Sequence, residues 1–172
     1  WPLHSALTQV LQGKGRASAL RDEWEKEVSA WPKGALHMRF SDNHDERRAI
    51  ARFGEPAALA ASALVFTLDG VPMIYNGMEV GDTTESGAPA LFEKLPIFWS
   101  IAERRKEFPQ FYKQMMALRR SSSALRRGSL EWLRNWDDAR VVTFLRRAGD
   151  EEVLVAINFS NLPFFGAVEV AN

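Results

Sequence analysis

Hydrophobic positions along the chain change their period several times, and each change marks an element. Leu3, Leu7, Val10 and Leu11 share one face of a helix that Pro2 opens and that Gly13 can stop in a left-handed conformation. After the break at Gly13-Lys14-Gly15, Leu20, Trp24, Val28 and Trp31 recur at helical spacing with Asp22, Glu23, Glu25, Lys26 and Glu27 outward, and Pro32-Lys33-Gly34 ends the pattern. Residues 35–40 are a short, largely apolar run bounded by turn residues, which predicts a buried strand. A polar stretch, 41–48, follows at once. Glu55-Pro56 opens another helix, with proline at a tolerated first-turn position, and residues 57–68 are apolar nearly all round, as in a helix packed deep against a sheet. Asp69-Gly70 breaks it, and residues 71–75 predict a second buried strand ending in Asn76-Gly77. Residues 80–95 are irregular and rich in Gly, Thr and Ser. A last strong helix is predicted from Pro109, with Phe111, Met115 and Leu118 facing in and Arg119 and Arg120 at its negative end.

Strand, polar loop, helix, strand, polar loop is the α/β rhythm of a parallel sheet. After Gly128 the texture changes. Residues 130–134, 140–147, 152–159 and 164–170 read as short strands, with Gly149-Asp150 as a hairpin turn. They predict a small antiparallel β domain with its boundary near residue 128.

Composition narrows the function. With 172 residues, 46% of them hydrophobic, the chain can bury one sizeable core or a core plus a small satellite domain. Lys+Arg equals Asp+Glu at 22 each, so no electrostatic footprint for nucleic acid or an acidic membrane is expected. The basic clusters at Arg104-Arg105-Lys106, Arg119-Arg120 and Arg126-Arg127 read as solvated helix ends. The absence of cysteine excludes disulfides and thiolate metal sites, and three unpaired histidines argue against zinc. The apolar run at 57–68 is too short to span a bilayer. No signal peptide is visible, but the chain does not begin with Met, so compartment stays open.

The candidate chemistry gathers just past the ends of the two predicted strands. Asn43-His44-Asp45 offers an amide, an imidazole and a carboxylate, a set able to grip sugar hydroxyls and to favour positive charge developing on a sugar ring. Asp42, Asn43 and Asp45 are equally good helix N-caps, and on the residues alone both readings stand. In the second cluster Tyr75 can stack on a sugar, and Glu79 can bond a hydroxyl or hold a cation in place, while the structural alternative is Asn76-Gly77 as a turn with Glu79 pairing with a buried arginine. A third group, Asp82, Thr83, Thr84, Glu85, Phe92, Phe98 and Trp99, could form a substrate rim, although an ordinary polar loop explains it as well.

Three segments together resemble one family. Phe40-Ser-Asp-Asn-His-Asp45 matches the F-x-x-N-H-D motif of the α-amylase family of glycoside hydrolases. Gly70-Val-Pro-Met-Ile-Tyr-Asn-Gly-Met-Glu79 resembles that family's G-x-P-x-I-Y-Y-G-x-E segment, with Asn76 replacing the usual second Tyr. Phe111 to Gly128 resembles its last barrel helix and the step into its C-terminal domain.

The resemblance implies an incomplete (β/α)8 TIM-barrel portion, 1–128, followed by the start of a C-terminal antiparallel β domain, 129–172, with the chain cut at both ends. It implies retaining hydrolysis or transfer at α-glucosidic bonds of α-glucans or malto-oligosaccharides. Asp45 matches the transition-state stabiliser and His44 the histidine that bonds substrate hydroxyls beside it. Asn43 and Tyr75 are assigned to substrate binding, Glu79 and Arg47 to support. Nothing here matches the nucleophile or the general acid, so the isolated chain is expected to be inactive. The alternative is a non-catalytic barrel relative that acts as a binding or assembly subunit. No metal or cofactor is assigned to this chain, while many family members bind calcium, an expectation for the complete protein. The partners implied are an oligosaccharide or polysaccharide substrate and either a second copy or the missing barrel portion, with neither nucleic acid nor membrane.

Overall fold

The computed structural model describes residues 1–84 and 94–170. In chain order the elements are α1 (Pro2–Leu11), α2 (Ala19–Ala30), β1 (Met38–Arg39), α3 (Ala49–Phe53), α4 (Glu55–Thr67), β2 (Val71–Pro72), α5 (Glu107–Ser121), α6 (Ser123–Arg127), β3 (Ser129–Trp132), β4 (Arg134–Asn135), β5 (Val141–Ala148), β6 (Glu151–Asn158) and β7 (Val168–Glu169). β1 and β2 pair in parallel, Met38 opposite Val71 and Arg39 opposite Pro72, with α3 and α4 as the crossover between them. Gly70 makes the pairing possible. It has a φ of +91°, and a Cβ there would lie 2.2 Å from the His37 carbonyl oxygen.

The two strands are shorter than the apolar runs that predicted them, and of their four residues only Arg39 is buried. Leu36, Met38 and Val71 are all more than half exposed. Among the described residues β1 has β2 as its one strand partner, so both edges of the pair are open. α2 differs in the same sense. Leu20 is buried and Trp24 is held by an indole N–H to Asp69 bond of 2.8 Å, but Val28 and Trp31 are exposed.

α4 fulfils its sequence pattern. One side, through Ala61 and Leu64 and the following Leu68, packs with Leu7, Val10 and Leu20 and with Val142, Phe144, Val155 and Ile157 of the antiparallel strands. The other, through Ala58 and Phe66, packs with Ile50, Met78, Phe108 and Tyr112. α5 begins at Glu107, so Pro109 lies in its first turn. Its inward face is set by Phe108, Tyr112 and Arg119, with Phe111 and Met115 partly buried beside them, which turns Leu118 outward, against expectation.

The end of α4 also corrects the reading of Arg119 as a solvated helix end. α4 has no basic residue in its last turn. Arg119 reaches in from α5 and donates to the carbonyls of Phe66 (2.7 Å), Leu68 (3.1 Å) and Gly70 (2.5 Å). Arg146 of β5 donates to Thr67 at 2.6 Å and to Gly128 and Ser129 at 3.0 and 3.1 Å. The carbonyls that a helix leaves open at its C-terminus thus find their donors on other elements. Burial lowers the affinity of both guanidiniums for their proton, that of Arg146 to about 10.

The segments read as four strands form five stretches. β3, β5 and β6 make one antiparallel sheet, with the β5–β6 hairpin turning at Gly149-Asp150, and β4 pairs with β7 in a second. The inner side of the first sheet shares its core with α1, α2 and α4. Among the described residues no helix is long and apolar enough to cross a membrane.

Candidate active site

The polar stretch after β1 switches from buried to exposed within two residues. Ser41, Asp42 and Asn43 are buried, whereas His44 and Asp45 each leave 47% of the side chain open. Asn43 sets this switch. Its side-chain oxygen accepts the backbone N–H groups of Asp45 at 2.9 Å and Glu46 at 3.0 Å, a local turn that points the next two side chains outward. Asn43 therefore caps a turn and not a helix. α3 starts only at Ala49, and Arg48 occupies its N-cap position without a side-chain cap. His44 Nε2 lies 3.3 Å from Asp45 Oδ1, so an imidazole and a carboxylate stand side by side at the rim of the parallel pair.

The loop after β2 is tightly turned. The Tyr75 N–H donates to the Met78 sulfur at 3.1 Å, Gly77 has a φ of +92°, and the Glu79 carboxylate accepts the Gly77 N–H at 2.9 Å. Glu79 thus holds the turn that follows Tyr75. Asn76, which replaces the family's usual Tyr, is exposed.

Arg48 joins the two loops, and sequence reasoning did not single it out. Its guanidinium donates to the Asn76 carbonyl at 2.9 Å, lies 4.6 Å above the centre of the Tyr75 ring, and stands 3.6 Å from a carboxylate oxygen of both Asp42 and Asp82. The one signal available was an arginine inside the polar stretch. Burial of Asp42 pushes its carboxyl up to about 6, although the Arg48 charge acts the other way. Asp82 was read with the rim residues, but it is 1% exposed, its Oδ1 accepting the Thr84 N–H (3.0 Å) and hydroxyl (2.6 Å). Phe98 and Trp99 are exposed, and Glu85 and Phe92 lie outside the described residues. Arg47 is exposed.

The other side of the loop is tied to α1. Arg52 donates to the Ser41 carbonyl at 2.9 Å and to Glu46 at 3.2 Å, and faces His4 Nε2 at 3.3 Å. Burial, and then the Arg52 charge, lower the His4 pKa. Among the described residues no group of three or more His, Asp or Glu side chains is placed to hold a metal ion.

The sequence profile described as "Alpha amylase, catalytic domain" matches residues 9–132. Alpha-amylase 2 of Dictyoglomus thermophilum is 33% identical over 132 residues, covering 72% of this chain and 23% of its own length. A cyclomaltodextrinase of Geobacillus thermopakistaniensis is 30% identical over 149 residues, covering 84% of this chain and 25% of its own. The chain thus spans about a quarter of the length of the curated relatives it matches. The solved cyclic α-maltosyl-(1→6)-maltose hydrolase from Arthrobacter globiformis, in complex with maltose, superposes with a TM-score of 0.75 at 25% identity, over 91% of this chain and 35% of that one. The parallel pair with its helical crossover is consistent with part of a (β/α)8 barrel. Profile, relatives and superposition agree on one assignment: the chain belongs to the α-amylase family.

Proposed function

We propose that this chain supplies part of the active site of a retaining glycoside hydrolase or transglycosylase that acts on α-glucans or malto-oligosaccharides. Residues 1–128 are its share of the catalytic barrel, and residues 129–172 begin a C-terminal antiparallel β domain. Asp45 stabilises the positive charge that develops on the sugar ring, His44 and Asn43 bind substrate, Tyr75 stacks on a sugar, and Glu79 and Arg47 support the loops. The observation that carries this reading is the pair His44 and Asp45, half-exposed and 3.3 Å apart, turned outward by a buried Asn43 just past a strand end. An imidazole and a carboxylate in that arrangement can grip a hydroxyl and face a developing cation together.

A retaining glycosidase needs two carboxyl groups ~5–5.5 Å apart across the scissile bond. Asp45 is assigned the stabilising role and is neither member of that pair, so the pure 172-residue protein should release no sugar from malto-oligosaccharides. In a protein that carries this chain with the rest of the barrel, Asp45→Asn should lower kcat by roughly 10²-fold or more. Steady-state kinetics on maltotriose check both. Turnover by the isolated chain, or a near-normal kcat in a folded Asp45→Asn variant, would sink the assignment. If the wild-type whole protein turns over no α-glucan, a binding or assembly role takes its place.

A further inference from the structure

Arg48 bridges the two rim loops. It stands three residues after Asp45 and bonds the carbonyl that directly follows Tyr75. Its guanidinium covers one face of the Tyr75 ring, leaving any stacking partner the opposite face. Buried carboxylates flank it from both loops, Asp42 from the first and Asp82 from the second, each at 3.6 Å. Space around it is fixed too. A Cβ on Gly77 would meet Arg48 Nη2 at 3.2 Å and Asp82 at 3.1 Å, closer than ordinary van der Waals contact. The planar fork of an arginine serves this geometry, and the single ammonium of a lysine does not reproduce it.

We propose that Arg48 is a positioning residue, which locks the Asp45 loop and the Tyr75 ring into one unit. The inference rests on the function proposed above, and it assigns Arg48 the task of holding the charge-stabilising carboxylate in register with the sugar-stacking face. Arg48 is assigned no contact with substrate. It acts through Asp45, so its contribution to catalysis vanishes when Asp45 cannot act.

Arg48→Gln and Arg48→Lys test this in two settings. In the whole protein, Arg48→Gln should lower kcat on maltotriose ~10-fold or more, since small misplacements of a reacting group are costly. Made in an Asp45→Asn background, it should lower kcat no further, because residues that act as a unit are non-additive. A merely structural arginine would lower the yield of folded enzyme equally in both backgrounds. A full additional loss in the Asp45→Asn background, or an unchanged kcat in Arg48→Gln, overturns the proposal. Arg48→Lys keeps the charge facing Asp42 and Asp82 and serves as the variant that folds if the glutamine does not. The same two outcomes are read from it.

The second setting separates this idea from the function itself. In the 172-residue chain, labelled with nitrogen-15, Arg48→Gln or Arg48→Lys should shift the amide resonances of residues 43–46 and of residues 75–79 together. Shifts confined to the neighbours of Arg48 in sequence overturn the coupling even if the whole protein has no glycosidase activity.

Discussion

At the scale of single residues, the buried polar groups carry most of the consequences. Asp42 is 2% exposed, and its folded-state pKa is about 6 against an ordinary 3.8. Between those values the folded protein binds more protons than the unfolded one. Its stability from this group is therefore full below pH 3.8 and is lost as pH rises through 6, by roughly 3 kcal/mol for such a shift. His4 acts oppositely, since a lowered pKa withdraws stability on acidification. Asp42→Asn isolates the first effect. Urea unfolding at pH 4.5 and pH 7 should show the variant gaining on the wild type as pH rises, and a constant difference would refute the shift. Arg146 gives a second expectation. It is 1% exposed and serves three carbonyls from two elements. Arg146→Met should cost roughly 2–4 kcal/mol in chemical denaturation, because those acceptors stay buried after the donor is gone.

At the scale of elements, what was legible was whatever repeats. The all-round apolar α4, the amphipathic α1 and the Gly149-Asp150 hairpin follow from local pattern and turn chemistry, and the structure has them where the pattern put them. The motif at residues 40–45 likewise located the exposed pair His44 and Asp45. What was not legible depends on partners distant in sequence. Arg119 looks like a helix-end cation until the carbonyls at the end of α4 are placed beside it, some 50 residues away in the chain. Arg48 looks like one more polar loop residue until Tyr75 and Asp82 arrive. The strands looked buried because an apolar run suggests burial, whereas its actual exposure depends on which neighbours flank the pair. Gly70 shows the same dependence in the backbone. Gly70→Ala should cost about 3 kcal/mol or more, combining a strained φ with contact against the β1 entry. Gly34→Ala is the control, with a similar φ of +87° and nothing within 4 Å. Equal melting temperatures for the two variants would show that the close approach to His37 does not matter.

At the scale of the whole molecule, the change of texture near residue 128 does not interrupt the core. β5 and β6 place Val142, Phe144, Val155 and Ile157 against the helices that precede that point, and Arg146 bonds the last turn of α4 from the far side of it. The proposed boundary between barrel and β domain is thus one of architecture, across which packing is continuous. The loops at the rim sit on the opposite flank of the same helix, over Ile50, Met78 and Tyr112.

α4 therefore answers to two neighbourhoods at once. After Pro56 none of its residues is exposed. A surface helix can change half its sequence without being noticed, since one side faces only water. Here no such side exists, and any exchange of volume is registered either by the sheet or by the packing beneath the rim loops. Among diverging copies of this protein, this helix beneath the rim would be among the slowest to vary.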